Sequence, residues 1–416
     1  MGIVQLGRET GSDPCEDDQN LQRVAPFVRR DCGSARKNHI RFMSCELTCE
    51  QLLGSEAARR DWLERLRAEP GGNLFLHPDL VMDPGRGTPT VYADWDEGLG
   101  AFRSLAVLAE KVIRLRPVPG VPWGPFLRGR RLVGNQVLGL SGEGRLDYFF
   151  GQMAAALSAG EFDCVLFEDI AVGSSLWTAL SRADVGAGFA VVHPAEVQPH
   201  WWIDFPERPE EYWGQFSGKA RYNFRRMAKK LDPVVTCYRD LGDVPIFLEK
   251  ASAVSCRSWQ GRRIGLRVQN SPREKTFWEF VAAQEAMRSY ILEKGGEPVA
   301  FVMGIQWNHC YSYEEIGYDH ALSESSPGIV LLLRILEDLV AHETPRRFDF
   351  GFGDGAYKRL FANRQTSSGP VLAVSRRWRP TAAIWLERSS RGVARAAQAG
   401  LRRVGLWSKF RRLYRS

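Results

Sequence analysis

One order of elements occurs twice along this chain, and it limits the fold more than any other feature. In the second half, strand-like runs at 289–292 and 298–305 flank a Gly295-Gly296 turn. A third strand over 310–318, a helix over 329–340 and a strand over 347–352 follow. The first half has a helix over 55–68, then strand, turn and strand at 105–109 and 112–116, a helix at 146–157 and a buried strand at 162–167. Phe162-Asp163 recurs as Phe348-Asp349, each pair just after a helix. Short strands alternating with helices exclude an all-β sandwich and predict an α/β (α+β) fold with a duplicated unit, mixed central sheets and flanking helices.

At 416 residues the chain is too long for one compact domain. Residues 1–38 carry no periodicity and are expected to be disordered. A first domain then spans 39–200 and a second 201–385, with the Pro-, His- and Trp-rich stretch over 185–208 as the join. With 44% hydrophobic and 11% aromatic residues, both halves can build cores. No apolar run approaches the roughly 18 residues of a spanning helix, and the first 40 residues lack the apolar centre of a secretory signal. A cytoplasmic protein is expected. Its eight cysteines include no Cys-x-x-Cys pair and no His partners at zinc-site spacing, which predicts reduced thiols, Cys164 and Cys310 buried on strands, and no metal.

The net charge of +7 is local. Residues 387–416 hold nine Arg or Lys and one acid, leaving the rest of the chain at −1. General DNA affinity is therefore not expected. Val393, Ala397, Leu401, Val404 and Trp407 recur at helical spacing in the tail, with Arg395 and Arg402 on the opposite side. The tail over 386–416 is basic and amphipathic, and its residues 387–416 can lie on an anionic membrane surface, here the inner face; as a plain solvated tail it needs no partner.

Three constellations can carry chemistry. On a helix over 219–231, Ala220, Phe224, Met227 and Leu231 form one apolar stripe, while Lys219, Arg221, Arg225, Arg226, Lys229 and Lys230 cover the rest around Tyr222. Six cations on one short helix call for an anionic partner, unless acids elsewhere in the chain pair with them. Ser326-Pro327-Gly328 directly precedes the apolar helix over 329–340: Ser caps, Pro suits the first turn, and Gly lets an anion reach the backbone N–H groups. Along 310–318, alternation puts Tyr311, Tyr313 and Glu315 on one face and Ser312, Glu314 and Ile316 on the other. One of the two glutamates thus faces a packed layer or cleft, where desolvation raises its pKa towards that of a general base at neutral pH. Downstream, Asp349 alternates with Phe348 and Phe350. Glycines 351, 353 and 355 then break the strand before Tyr357, a possible acid, and Lys358, a possible anion ligand. No Gly-x-Ser-x-Gly elbow, Walker lysine loop or dinucleotide glycine fingerprint is present, and the seven histidines are scattered.

Six short segments stand in order between 219 and 358: Lys219-Ala220-Arg221-Tyr222-Asn223-Phe224-Arg225-Arg226, Ser258-Trp259-Gln260-Gly261, Gly296-Glu297-Pro298-Val299-Ala300-Phe301, Tyr318-Asp319, Ser326-Pro327-Gly328, and Phe348-Asp349-Phe350-Gly351 with Tyr357-Lys358. Together they make residues 210–375 resemble the GNAT acyltransferase superfamily, in particular its cellulose-biosynthesis-associated acetyltransferases, relatives of the Fem-type peptidyl transferases. The resemblance implies tandem GNAT-like units, the first degenerate, with an acyl donor at the second. The pantetheine arm of acetyl-CoA or another acyl-CoA would lie between splayed strands, beside Ile316 and Tyr318, with its pyrophosphate at Ser326, Pro327 and Gly328. Lys219, Arg221, Arg225, Trp259, Asp319, Asp349 and Lys358 would meet the substrates. The Arg/Gln-x-x-Gly-x-Gly/Ala loop of better-known members is absent, so the donor stays open.

The implied activity is acyl transfer, acetyl being the expected group, onto an amine or hydroxyl of a small-molecule, glycan or peptide acceptor in envelope or polysaccharide metabolism. Glu314 or Glu315 would be the base and Tyr357 the acid. The alternatives are a Fem-type ligase taking aminoacyl-tRNA to a cell-wall precursor, and a non-catalytic GNAT-fold protein held at the membrane.

Overall fold

The computed structural model describes residues 54–69, 73–83, 87–115, 124–139, 144–186, 188–258 and 268–403, with side chains up to residue 390. The expectation for residues 1–38 falls outside these. The strands are β1 (Thr90–Asp96), β2 (Ala101–Arg114), β3 (Phe126–Leu132), β4 (Leu138–Gly139), β5 (Cys164–Ala171), β6 (Phe189–Val192), β7 (Gln198–Asp204), β8 (Val234–Tyr238), β9 (Ser289–Lys294), β10 (Glu297–Trp307), β11 (Cys310–Tyr318), β12 (Arg347–Phe352) and β13 (Arg364–Ser375). The helices are α1 (Glu56–Ala68), α2 (Pro78–Val81), α3 (Gly144–Ala159), α4 (Ser175–Gly186), α5 (Gly218–Leu231), α6 (Val244–Arg257), α7 (Pro272–Ala283), α8 (Pro327–Ala341), α9 (Ala356–Phe361) and α10 (Trp378–Arg403).

The thirteen strands form one mixed sheet in the order β1-β2-β3-β5-β13-β7-β12-β11-β10-β9-β8, with β4 on β2 and β6 on β13. Each half contributes an antiparallel meander, a crossover helix and a strand parallel to the last one of the meander. These are β1-β2-β3, α3 and β5 in the first half, and β9-β10-β11, α8 and β12 in the second. In both, the parallel pairing spans only three register pairs, Gly129↔Cys164 to Arg131↔Leu166 and Cys310↔Arg347 to Ser312↔Asp349. Phe348-Asp349 therefore matches Val165-Leu166 in register; the Phe162-Asp163 pair lies just ahead of β5, so the architecture repeats and the dipeptide does not.

Three features depart from the sequence reading. The runs at 105–109 and 112–116 belong to one strand, β2, whose inner half is buried and whose outer half alternates. The expected join over 185–208 is β6 and β7. Finally, β13 pairs with β5, β6 and β7, so the last strand is knitted between the two units, and the boundary at 200/201 falls inside β7. Cys164 is fully buried on β5, whereas Cys310 is half-buried.

The units differ where their parallel strands end. In the first, the turn Val133–Asn135 fills the space, with the Asn135 Oδ1 accepting from the Glu168 N–H at 3.2 Å. Glu168 is in turn paired with Lys111 (3.8 Å) and Arg131 (3.5 Å). Among the described residues no such plug stands between β11 and β12, whose ends line a cleft.

The core of the second unit joins the sheet to α5, α8 and α9. Helix α8 buries Val330, Leu331, Leu332, Ile335, Leu336 and Leu339, as its nearly continuous apolar sequence requires. Phe361 is fully buried at the end of α9, with Phe216 at 5.7 Å and Phe224 of α5 stacked at 5.5 Å. This wedge seats α9, which carries Tyr357 and Lys358. Phe361→Ala should destabilise the protein by about 3–5 kcal/mol, read as a lower midpoint in urea unfolding; an unchanged midpoint would show that the wedge is dispensable.

Candidate active site

Where β11 and β12 part, a cleft of about 500 Å³ opens, lined by residues that include Asp169, His200, Ser312, Glu314, Glu315, Ile316, Asp349, Tyr357 and Lys358. Its floor is aromatic: Tyr311 stacks on Phe348 at 4.9 Å, and Tyr313 contacts Phe350 and Tyr357 at 5.8 and 6.4 Å.

A β-bulge shapes one wall. Register against β10 passes from Met303↔Glu315 to Gly304↔Tyr313, so Glu314 has no partner on that strand. A β-carbon at Gly304 would lie 2.0 Å from the Tyr311 hydroxyl, which explains glycine at this point. The bulge breaks the expected alternation, and both glutamates line the cleft rather than opposite faces. The Glu314 side chain opens to solvent through the cleft. Even so, crowding by the protein walls, with the carboxylates of Asp349 and Glu315 close by, pushes its pKa up to about 7.

The opposite wall is built around His200 of β7. Its Nδ1 lies 2.9 Å from Asp169 Oδ2 and its Nε2 2.7 Å from Asp349 Oδ1. Burial works against the charged ring, but the two carboxylates outweigh it and raise the pKa to about 9. Both nitrogens then donate, and the ring is an imidazolium at neutral pH. Asp349 Oδ1 also accepts from the Gly351 N–H at 2.7 Å, a turn that requires φ of +72°. The turned Gly351 carbonyl and that of Phe352 accept from Lys358 Nζ at 3.1 and 3.0 Å. Lys358 is 7% exposed, and burial lowers its pKa against the pull of Asp349, Asp169 and Asp354. Burial likewise raises Tyr357 to about 12, so it keeps its proton at neutral pH. Asp169 Oδ1 is buried without a hydrogen-bond partner among the described residues.

Of the residues singled out in the sequence, Glu314, Glu315, Ile316, Asp349, Tyr357 and Lys358 meet in this cleft. Tyr318, Asp319, Ser326, Pro327 and Gly328 sit instead around the far end of β11 and the start of α8. Ser326 was expected to cap α8; it adopts a left-handed conformation (φ 52°) and its side chain makes no cap bond. The N–H groups of Ile329 and Val330 turn back to its carbonyl, which leaves the Gly328 N–H as the free donor of this corner among the described residues. A β-carbon on Gly328 would stand 3.3 Å from the Tyr318 ring, so this ring flanks the corner. Asp319 pairs with Arg257 at 2.8 Å and caps the turn His320–Ser325. Lys219, Arg221 and Arg225 lie exposed on α5, away from the cleft lining. Trp259 lies outside the described residues.

His200 and Asp169 were not read from the sequence. The available signal was a polar residue within each of two strands, and only the register of β7 between β12 and β13 brings them to Asp349.

Residues 218–359 match the family model described as an acetyltransferase (GNAT) domain. No curated protein matches the chain significantly. Among solved structures, FemX superposes with a TM-score of 0.52 at 12% identity, over 76% of this chain and 96% of its own. L-PGS from Bacillus licheniformis gives 0.48 at 14% identity, over 80% and 96%. A tandem GNAT protein from the clavulanic acid biosynthesis pathway gives 0.46 at 13%, over 77% and 94%. Residues 218–359 are thus similar to a GNAT acetyltransferase domain, and the chain shares the fold of FemX.

His200→Gln gives a stability test of the charged clamp. A folded-state pKa raised above the ordinary histidine value contributes stability that is complete below about pH 6.5 and lost as the pH rises through about 9. The variant's deficit in denaturant unfolding should therefore be largest near pH 6 and should shrink above pH 9; a pH-independent deficit would contradict an imidazolium here.

Proposed function

We propose that this protein moves an acyl group, acetyl in the first instance, from acyl-CoA to an amine or hydroxyl of a small-molecule, glycan or peptide acceptor, in cytoplasmic steps of envelope or polysaccharide metabolism. The observation that carries the reading is the open end of the β11/β12 pair, with the bulged Glu314 lining it beside Glu315 and Asp349. A carboxylate whose pKa is raised towards neutrality can take a proton from an incoming nucleophile and release it again.

Glu314 or Glu315 accepts the proton as the nucleophile's lone pair attacks the thioester carbon. A strand N–H meets the developing oxyanion, the C–S bond breaks, and the leaving thiolate takes the proton available on Tyr357. Asp349 and Lys358 hold the acceptor, and the unpartnered Asp169 oxygen welcomes a hydrogen-bond donor. The donor would pass Ile316 and Tyr318 towards Ser326, Pro327 and Gly328, where one free backbone N–H makes a modest phosphate site. Cellulose-associated acetyltransferases remain the branch that the sequence motifs favour.

A second reading, transfer of an aminoacyl group from tRNA in the Fem manner, is favoured by α5. Its six cations make no ion pair among the described residues and spread over one side of a fourteen-residue helix. That area exceeds what a single phosphate needs.

Glu314→Gln and Glu315→Gln, measured separately, should show turnover lowered roughly 10²–10⁴-fold in the variant that lacks the base. Wild-type rates should fall as pH drops through about 7, the point below which Glu314 is protonated. Unchanged turnover in both variants removes the assignment. Calorimetry with CoA, acetyl-CoA and bulk tRNA separates the donors: CoA binding supports the first reading and salt-sensitive tRNA binding the second, while binding of neither favours a non-catalytic protein.

A further inference from the structure

Over residues 378–390, helix α10 packs on the body by one side and exposes the other. Ile384 and Glu387 are buried, Ile384 beside Leu372 and Val374 of β13. Trp378 and Trp385 are 74% and 69% exposed, and Leu386 is 48% exposed. The two tryptophans stand seven residues apart, hence on one helical face, and that face is opposite the buried one. Packing among the described residues does not account for two large exposed indoles.

The charge around them has one sign. From residue 376 to 416 the chain has twelve Arg or Lys and one acid, Glu387, which is buried. Arg377, Arg379 and Arg388 are exposed and make no ion pair among the described residues; the Arg379 guanidinium lies 5.2 Å from the Trp378 ring centre. Beyond the described residues the sequence continues in kind, with Trp407, Phe410 and Tyr414 among Lys409, Arg411, Arg412 and Arg415. Among the described residues no helix is long and apolar enough to cross a membrane.

We propose that the outer face of α10, centred on Trp378 and Trp385, docks on an anionic phospholipid bilayer. Indoles settle at the boundary between headgroups and acyl chains, with an apolar ring inward and an N–H outward. Arginines beside them meet lipid phosphates, and the missing acids remove repulsion. The sequence pointed to 387–416 as the contact. The structure moves its start to Trp378, on the part of the helix already fixed to β13, so the bilayer would hold the body in one orientation rather than on a loose tether. A docking site for a protein would need acids on its partner to answer the arginines, whereas an anionic bilayer answers indoles and arginines together.

This goes beyond the acyl-transfer reading and does not rest on it. Full-length protein is sedimented with vesicles of phosphatidylcholine alone and of phosphatidylcholine with phosphatidylglycerol. Binding only to the anionic vesicles, weakened by salt, is expected. Trp378→Ala with Trp385→Ala should lower partition roughly tenfold or more, with melting temperature and CoA binding unchanged. Arg377→Gln, Arg379→Gln and Arg388→Gln together should reduce the salt dependence. Equal binding by the tryptophan variant, no binding to either vesicle, or a concentration-dependent dimer that the tryptophan substitutions abolish would each overturn the proposal.

Discussion

The site depends on one charged ring held between two carboxylates. His200 reaches Asp169 on β5 and Asp349 on β12 from its own strand β7, and so ties three strands from both halves of the molecule. Two carboxylates around one imidazolium leave a single negative charge in a partly buried place, less costly than two unanswered acids. The same oxygen of Asp349 takes the Gly351 N–H, whose positive φ turns the backbone carbonyl towards Lys358. One side chain thus sets the strand end, the lysine and the local field that Glu314 feels. Removing the ring would leave Asp169 and Asp349 facing each other and would loosen the wall that defines the cleft.

The two units show how one architecture yields a site once and a closed wall once. Each parallel pair stops after three register pairs, because the strands twist apart beyond that point. In the first unit the gap is filled by the turn Val133–Asn135 and by the Glu168 network with Lys111 and Arg131. The Glu168 N–H exposed by the divergence finds its partner there in Asn135. In the second unit the bulge at Glu314 displaces the chain outward, and the gap remains as the cleft. The asymmetry is carried by a short turn in one copy and an extra residue in the other.

Periodic elements were legible in the sequence. The strands over 310–318 and 347–352 and the helix over 329–340 stand where alternation and an apolar helical pattern put them, because burial on one or both faces leaves a direct imprint on residue order. The cleft acids Glu314, Glu315 and Asp349 were visible as polar residues inside such strands. The rest depends on long-range register. Glu110-Lys111 interrupts the apolar run of β2 without ending it, since that stretch alternates at the sheet surface. β13 went unread, and its insertion between β5 and β7 lets β7 carry His200 beside Asp349. A bulge has no signature in residue order alone, so strict alternation placed Glu314 and Glu315 on opposite faces.

Charge is sorted across the molecule in a way that bears on any phosphorylated donor. The cleft lining holds four carboxyl groups, Asp169, Glu314, Glu315 and Asp349, against His200 and Lys358. Among the described residues, α5 and the outer face of α10 carry cations without ion pairs outside it. This field favours anions on the exposed helical surfaces over the cleft, which suits neutral or cationic groups better. Helix α5 packs through Phe224 onto Phe361 of α9, the helix that carries Tyr357 and Lys358. The basic helix and the cleft wall are thus joined by a short aromatic path.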